Sequence, residues 1–345
     1  MVATIAIVVG VVGYMVELPY YTVSPGSSVN VNERITVDGA KTFTPEGELR
    51  LLFVRQRARV NAWEWLQASF DSDIDLVKEE QLTGGQSPEE VRTGADAEMA
   101  LAQLAAKKLA LETAGYEVSV AGEGLVVLAV LPSRPAAAAL VAGDVVLGVS
   151  DVGGGNEQSI VEADDLGEII GQHEAGDVVA IRIERDGKEQ TENVGIEVDD
   201  NGNPVIGVYV ARLYDFPIDV EIDTSSIGGP SAGLAMTLSI IDTLTPGELT
   251  GEQIVAITGT IADDGTVGEI GGLGQKTVAA RAADADLFLV PKCGPDSSPS
   301  CETDLEGARS RAKGLRIVPV ATLDEALAAL EDAGGDPLEP AEVSS

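Results

Sequence analysis

Two short stretches hold side chains that could do covalent chemistry. Residues 228–233 read GGPSAG and run into the apolar helical stretch LAMTLSIIDTL. A serine in a glycine-crowded turn that enters a helix suits a nucleophile, because small neighbours let a substrate carbonyl come close. The first amides of a helix have no intrahelical acceptor. Those of Gly229, Ser231 and Ala232 could therefore hold an oxyanion, with the helix dipole adding favourable potential. The plainer reading makes Ser231 an N-cap.

The second stretch, residues 268–280, reads GEIGGLGQKTVAA. A phosphate-binding loop would need glycine directly before the lysine, and Gln275 stands there, so that reading fails. The alternative places Lys276 in the first turn of an apolar helix. Desolvation and the positive end of the helix both disfavour an ammonium, lowering the pKa from about 10.4. A neutral lysine can take the proton of a serine hydroxyl. The competing fate is a snorkelling surface lysine.

Composition narrows the chemistry further. The 345 residues include one histidine, His173, and two cysteines, Cys293 and Cys301. One histidine cannot build an HExxH zinc site, and no metal or other cofactor is expected. A Ser-His-Asp triad would have to run through His173. There are 57 acidic against 22 basic residues, a formal net charge of −35. Such a surface repels phosphate, which argues against nucleic acid as a partner, and ATP is disfavoured with it.

The elements around these stretches organise the chain. Residues 2–16 are uncharged and apolar, followed by Pro19, Tyr20 and Tyr21. A signal-peptide core, a short membrane anchor and a buried helix compete for this segment. The aromatic residues suit a membrane boundary, so we expect an anchor over 1–23 and a single-pass protein with its catalytic part outside the cytoplasm. Cys293 and Cys301, in a Gly/Pro/Ser-rich loop, read as a disulfide in such a compartment, against two free thiols. Residues 24–116 read as a spacer, with Trp63 and Trp65 as packing residues and a helix over 95–114 stopped by Gly115. Residues from 332 to 345 read as a disordered tail.

Residues 117–200 form a unit of their own. The stretch GLVV (124–127), then SRPAAAALVAGDVVLGVSD (133–151), resembles the bacterial type of PDZ domain. The resemblance implies capture of an extended peptide by strand addition, with Gly124, Leu125, Val126 and Val127 as the binding residues. The rival is a small β-rich spacer with a vestigial groove.

Over residues 201–331, IGGPSAGLAMTLSIIDTL and ITGTIADDGTVGEIGGLGQKTVAARAADADLFLVP resemble the proteolytic domain of Lon-type peptidases. The 45 positions from Ser231 to Lys276 are close to that family's spacing. The whole chain looks like the membrane-anchored, PDZ-containing Lon-like proteases of Gram-positive bacteria. That resemblance implies an α+β fold: a Lon-type domain of mixed sheets with packed helices, preceded by a β-rich PDZ-like domain and an anchor. It implies Ser231 as nucleophile, Lys276 as general base and Thr258 as the residue that orients the lysine. It also implies a ring-forming homo-oligomer acting on unfolded or extended polypeptides. The 345 residues contain no Walker motif, so ATP-independent cleavage is expected. A non-catalytic adaptor binding peptide C-termini is the rival function.

Overall fold

The computed structural model describes residues 2–162, 164–199, 202–225, 228–295, 297–339 and 341. Ser226 and Ile227, at the head of the serine stretch, lie outside the described residues, as do Pro340 and residues 342–345 of the tail.

The strands that matter, in chain order, are β1 (Tyr20–Asn30), β2 (Glu48–Arg57), β3 (Asp75–Lys78), β4 (Leu125–Val130), β5 (Val145–Asp151), β6 (Val178–Arg185), β7 (Lys188–Gly195), β8 (Val208–Ala211), β9 (Ile254–Ile257), β10 (Leu287–Pro291) and β11 (Arg316–Val320). The helices are α1 (Val2–Met15), α2 (Ala62–Ala68), α3 (Pro88–Thr113), α4 (Asp165–Ile170), α5 (Gly233–Leu244), α6 (Leu273–Ala282), α7 (Cys301–Arg311) and α8 (Leu323–Glu331).

One six-stranded sheet runs β11-β10-β9-β2-β1-β3. Its central strands are parallel and apolar on both faces, which requires a helical layer on each side. Alternation does the sorting. Leu49, Leu51, Val255, Ile257 and Leu289 face α3, α5 and α8, while Leu52, Ala256, Phe288 and Val290 face α6 and α7. The result is a three-layer domain with Ser231, Thr258 and Lys276 on elements of that one sheet and its helices.

The region read as a spacer is part of this domain. Strand β2 pairs in parallel with β9, Leu51 opposite Ile257, and β1 pairs with β2 and β3. Helix α3 starts earlier than the expected 95, at Pro88. Ser87 caps it, with Glu90 completing a capping box and Pro88 in the first turn. Its buried alanine stripe packs on α5. The PDZ-like unit is thus inserted between two halves of one domain.

That unit is a sheet in the order β7-β6-β5-β4-β8, closed by α4 over Leu125, Val146, Ile181 and Ile183. Asp144 is buried beneath it and accepts from Arg185 Nε at 2.6 Å and Nη2 at 2.7 Å.

Two further expectations are corrected. Among the described residues no helix is long and apolar enough to cross a membrane. Helix α1 has 14 residues, about 21 Å at 1.5 Å per residue, against a hydrocarbon core of about 30 Å. The single-pass anchor is therefore not supported. Tyr20 and Tyr21 belong to β1, opposite Lys78 and Val77, and Tyr20 packs edge-on against Trp65. The start of the tail is docked: the Asp336 N–H donates to the Glu248 carbonyl at 2.9 Å, and Leu338 and Ala341 pack against the core.

Candidate active site

The serine turn is shaped by glycines with different jobs. Gly229 has φ of +83°, a conformation that side chains disfavour. Pro230–Ala232 form a 3-10 turn and α5 begins at Gly233. A Cβ on Gly233 would lie 2.9 Å from the Ile261 backbone nitrogen, so glycine allows α5 to seat against residues 260–261. A Cβ on Gly228 or Gly229 would meet nothing within 4 Å among the described residues. Ser231 is half-buried, with open space on its glycine side.

Thr258 and Gly259 follow the C-terminal end of β9 and hold that turn. The Gly259 N–H donates to the Ser231 carbonyl at 3.1 Å, and the Leu234 N–H donates to the Gly259 carbonyl at 3.2 Å. The Thr258 hydroxyl donates to the same Ser231 carbonyl at 3.5 Å. Thr258 is anchored by its own N–H to the Leu289 carbonyl on β10.

Lys276 comes from the other face of the sheet. Gly272, at φ of +71°, turns the chain into α6, and the Lys276 N–H closes the first turn on the Gly272 carbonyl. The side chain is 3% exposed, so it does not snorkel. Its Nζ donates to Thr258 Oγ1 at 2.9 Å. Burial, with no carboxylate to offset it, pushes the lysine pKa down to about 8. About a tenth of the lysine is then neutral at pH 7, far more than at its ordinary value, which gives a general base something to work with.

The structure thus brings Lys276 to Thr258, and Thr258 to the backbone of Ser231. Among the described residues Ser231 Oγ and Lys276 Nζ do not share a hydrogen bond. Catalytic contacts of this kind are often loose before substrate binds. The neighbouring Gln275 is buried, and neither polar atom of its amide has a partner among the described residues.

Cys293 and Cys301 are joined by a disulfide. The loop it closes touches the approach to α6: Ser298 donates its N–H and hydroxyl to the Glu269 carboxylate at 2.7 and 2.5 Å.

The residues expected to bind peptide are not on an open edge. Gly124, Leu125, Val126 and Val127 lie at β4, which β5 and β8 flank on its two sides. Val127 gives its N–H to the Asp144 carbonyl and takes the Gly143 N–H on one side, while Val210 faces it on the other. Gly124 is packed in, since a Cβ there would sit 2.3 Å from the Val146 carbonyl. No peptide can pair with this strand.

Strand β8 is one of the two edge strands of this sheet, β7 being the other. A groove of about 460 Å³ runs along β8, walled by Leu166, Gly167 and Ile170 of α4 and by Arg134. At its head Gly207 has φ of +85°. The Ile206 and Gly207 carbonyls accept from the Ala136 and Leu131 amides, at 3.0 and 2.9 Å. The signal was present in the run PVIGVYV (204–210), an apolar alternation around one glycine. A domain boundary at 200 cuts this run away from the sheet it completes, because β8 pairs with β4.

Comparison with known proteins fits this geometry. Residues 214–331 match the family profile of the Lon protease (S16) C-terminal proteolytic domain, and residues 113–198 match a PDZ domain. The chain is similar to the Lon protease of Neorickettsia sennetsu, 37% identical over 114 residues, covering 33% of this chain and 13% of the relative. It is also similar to that of Chloroflexus aggregans, 28% identical over 185 residues, covering 48% and 22%. The chain thus spans only 13% and 22% of the length of these two relatives. Among solved structures, the PDZ domain of an SdrC-like protein from Listeria innocua is 28% identical, covers 26% of this chain and 93% of that one, and has a TM-score of 0.23. The chain carries a PDZ domain and a Lon-type proteolytic domain. Neither match reaches β8, nor the strands β1 to β3 that complete the protease sheet.

Proposed function

We propose that this PDZ-containing, Lon-like chain is a serine endopeptidase with a Ser231–Lys276 dyad that cleaves extended polypeptides without ATP. The observation that carries the reading is the Lys276 Nζ to Thr258 Oγ1 hydrogen bond at 2.9 Å, made by a buried lysine to the strand end that also holds the Ser231 turn. Burial also removes Lys276 from any role in gripping phosphate.

Ser231 Oγ attacks the scissile carbonyl carbon as Lys276 Nζ takes its proton. Amides of Gly229, Ser231 and Ala232 are the candidates to hold the oxyanion. The tetrahedral adduct collapses, the C–N bond breaks, and Lys276 passes the proton to the leaving amine. Lys276 next deprotonates a water, which attacks the acyl-serine ester. The carboxylic acid leaves and the serine hydroxyl is restored. Thr258 keeps the lysine aimed throughout. The β8 groove serves substrate capture by strand addition.

The test is degradation of unfolded casein without ATP by the chain and by its Ser231→Ala and Lys276→Ala variants. Cleavage by the parent alone is expected. Binding without cleavage by the parent would favour the adaptor, and cleavage surviving in either variant would exclude the dyad.

A further inference from the structure

The β8 groove does not end at the PDZ-like sheet. A second cleft of about 480 Å³ begins where it stops, and Val210 and Asp164 line both. The second cleft passes between α3, at Leu101 and Ala105, and residues 261–264, and reaches Pro230, the residue before Ser231. Tyr209 of β8 is itself packed close to α3: a Cβ on Gly94 would lie 2.9 Å from its hydroxyl.

The direction of an added strand follows from the groove's closed head. At Ile206 and Gly207 the carbonyls are already taken, which leaves backbone N–H groups as what this turn can offer a ligand, and a φ of +85° at Gly207 sets the turn. A terminal carboxylate held there leaves the rest of its chain one way to go, antiparallel along Val208–Ala211 toward the second cleft. Four residues of β8 span about 14 Å at roughly 3.4 Å each. The second cleft then carries Glu98, Asp263 and Asp264, and its cation Arg212 is already paired with Glu162 at 2.7 Å. That lining favours lysine or arginine in whatever passes through.

Resting on the reading of Ser231 as nucleophile, we propose that one extended polypeptide occupies both clefts. Its C-terminus sits at Ile206–Gly207, a basic segment crosses between α3 and residues 261–264, and Ser231 cuts at a set distance from the end. The two clefts together act as a ruler. The released product is a short C-terminal peptide longer than the four residues that β8 can pair.

The experiment uses the full chain and an unfolded polypeptide with lysines upstream of its C-terminus. The same substrate is also made with the end lengthened by a Gly-Ser tail of known length, and with the lysines changed to glutamates. First cuts are mapped by mass spectrometry. The cut should move toward the new end by the length of the tail, and the glutamate version should lose rate severalfold. A cut that stays at the original residue, or a rate indifferent to the charge reversal, overturns the proposal. Cleavage that persists in Ser231→Ala instead overturns the catalytic reading. Photo-crosslinking to Ser231→Ala reads the path without turnover. A probe near the end should label β8 or α4, and one further upstream should label α3 or residues 261–264. Upstream labels elsewhere also overturn it.

Discussion

Lys276 Nζ and Thr258 Oγ1 meet at 2.9 Å inside the protein, although the lysine belongs to a helix on one face of the central sheet and the threonine to the end of one of its strands. The lysine rides α6 on one face. The threonine ends β9, and its hydroxyl reaches the Ser231 carbonyl at the foot of α5 on the other face. Ser231 and Lys276, the proposed nucleophile and base, are therefore tied through one small hydroxyl and the end of one strand.

Thr258→Val removes the acceptor that Lys276 uses. A single hydrogen bond is worth about 1 kcal/mol, so kcat should fall about fivefold, with Thr258→Ser restoring it. Losing an acceptor also disfavours the ammonium, so the acidic limb of the pH profile should move to lower pH. A merely structural threonine would leave that limb where it was.

In the proposed role of base Lys276 has to be neutral, and burial holds its pKa at about 8. Activity should therefore rise with pH and be half-maximal near that value. Lys276→Arg should be inactive across the range, because a guanidinium does not lose its proton. A pH–rate profile without an acidic limb in this region would count against Lys276 as the base.

The same burial costs stability. The unfolded chain keeps its proton up to about 10.4, whereas the folded chain loses it near 8, so the penalty is full below 8 and fades as pH rises between the two. Lys276→Met should be inactive yet more stable near neutral pH by about 3 kcal/mol, as 1.36 kcal/mol per pKa unit implies. Denaturant melts of both proteins against pH would show the gap closing through that window.

Gly233→Ala should cost about 1 to 3 kcal/mol through overpacking, since its Cβ would press on the Ile261 backbone at 2.9 Å. Any shift of α5 displaces Ser231 as well. The melting temperature and kcat should fall together, and an unchanged melting temperature would contradict the packing described.

Cys293 and Cys301 close a loop with a sequence separation of 8, for which loop entropy gives about 2.5 kcal/mol. Reduction, or the double serine variant, should lower stability by about that much. It should also loosen Ser298 from Glu269 ahead of α6 and reduce kcat. The double variant should be indifferent to reductant.

The amino-acid sequence alone was enough for what neighbouring residues decide. Gly229 and Gly233 around Ser231, the apolar run after Lys276, Gly115 behind the long helix and the glycine loop between the cysteines each act on residues next to them. Backbone freedom, capping and local desolvation operate within a few positions, so they are legible in one dimension. Three matters needed the tertiary structure. Strand β2 lies beside β9 about 200 positions away, which turned a supposed spacer into part of the protease sheet. Strand β8 lies beside β4 and closes the edge where peptide was expected, moving the groove to 206–210. Helix α1 stops at Met15 and the chain continues as a strand from Tyr20, so no helix among the described residues is long and apolar enough to cross a membrane. In each case the deciding interaction joins backbone or side chains that the sequence keeps apart. Their free energy comes from pairing and burial with distant partners, and short-range pattern carries no record of which partner that is.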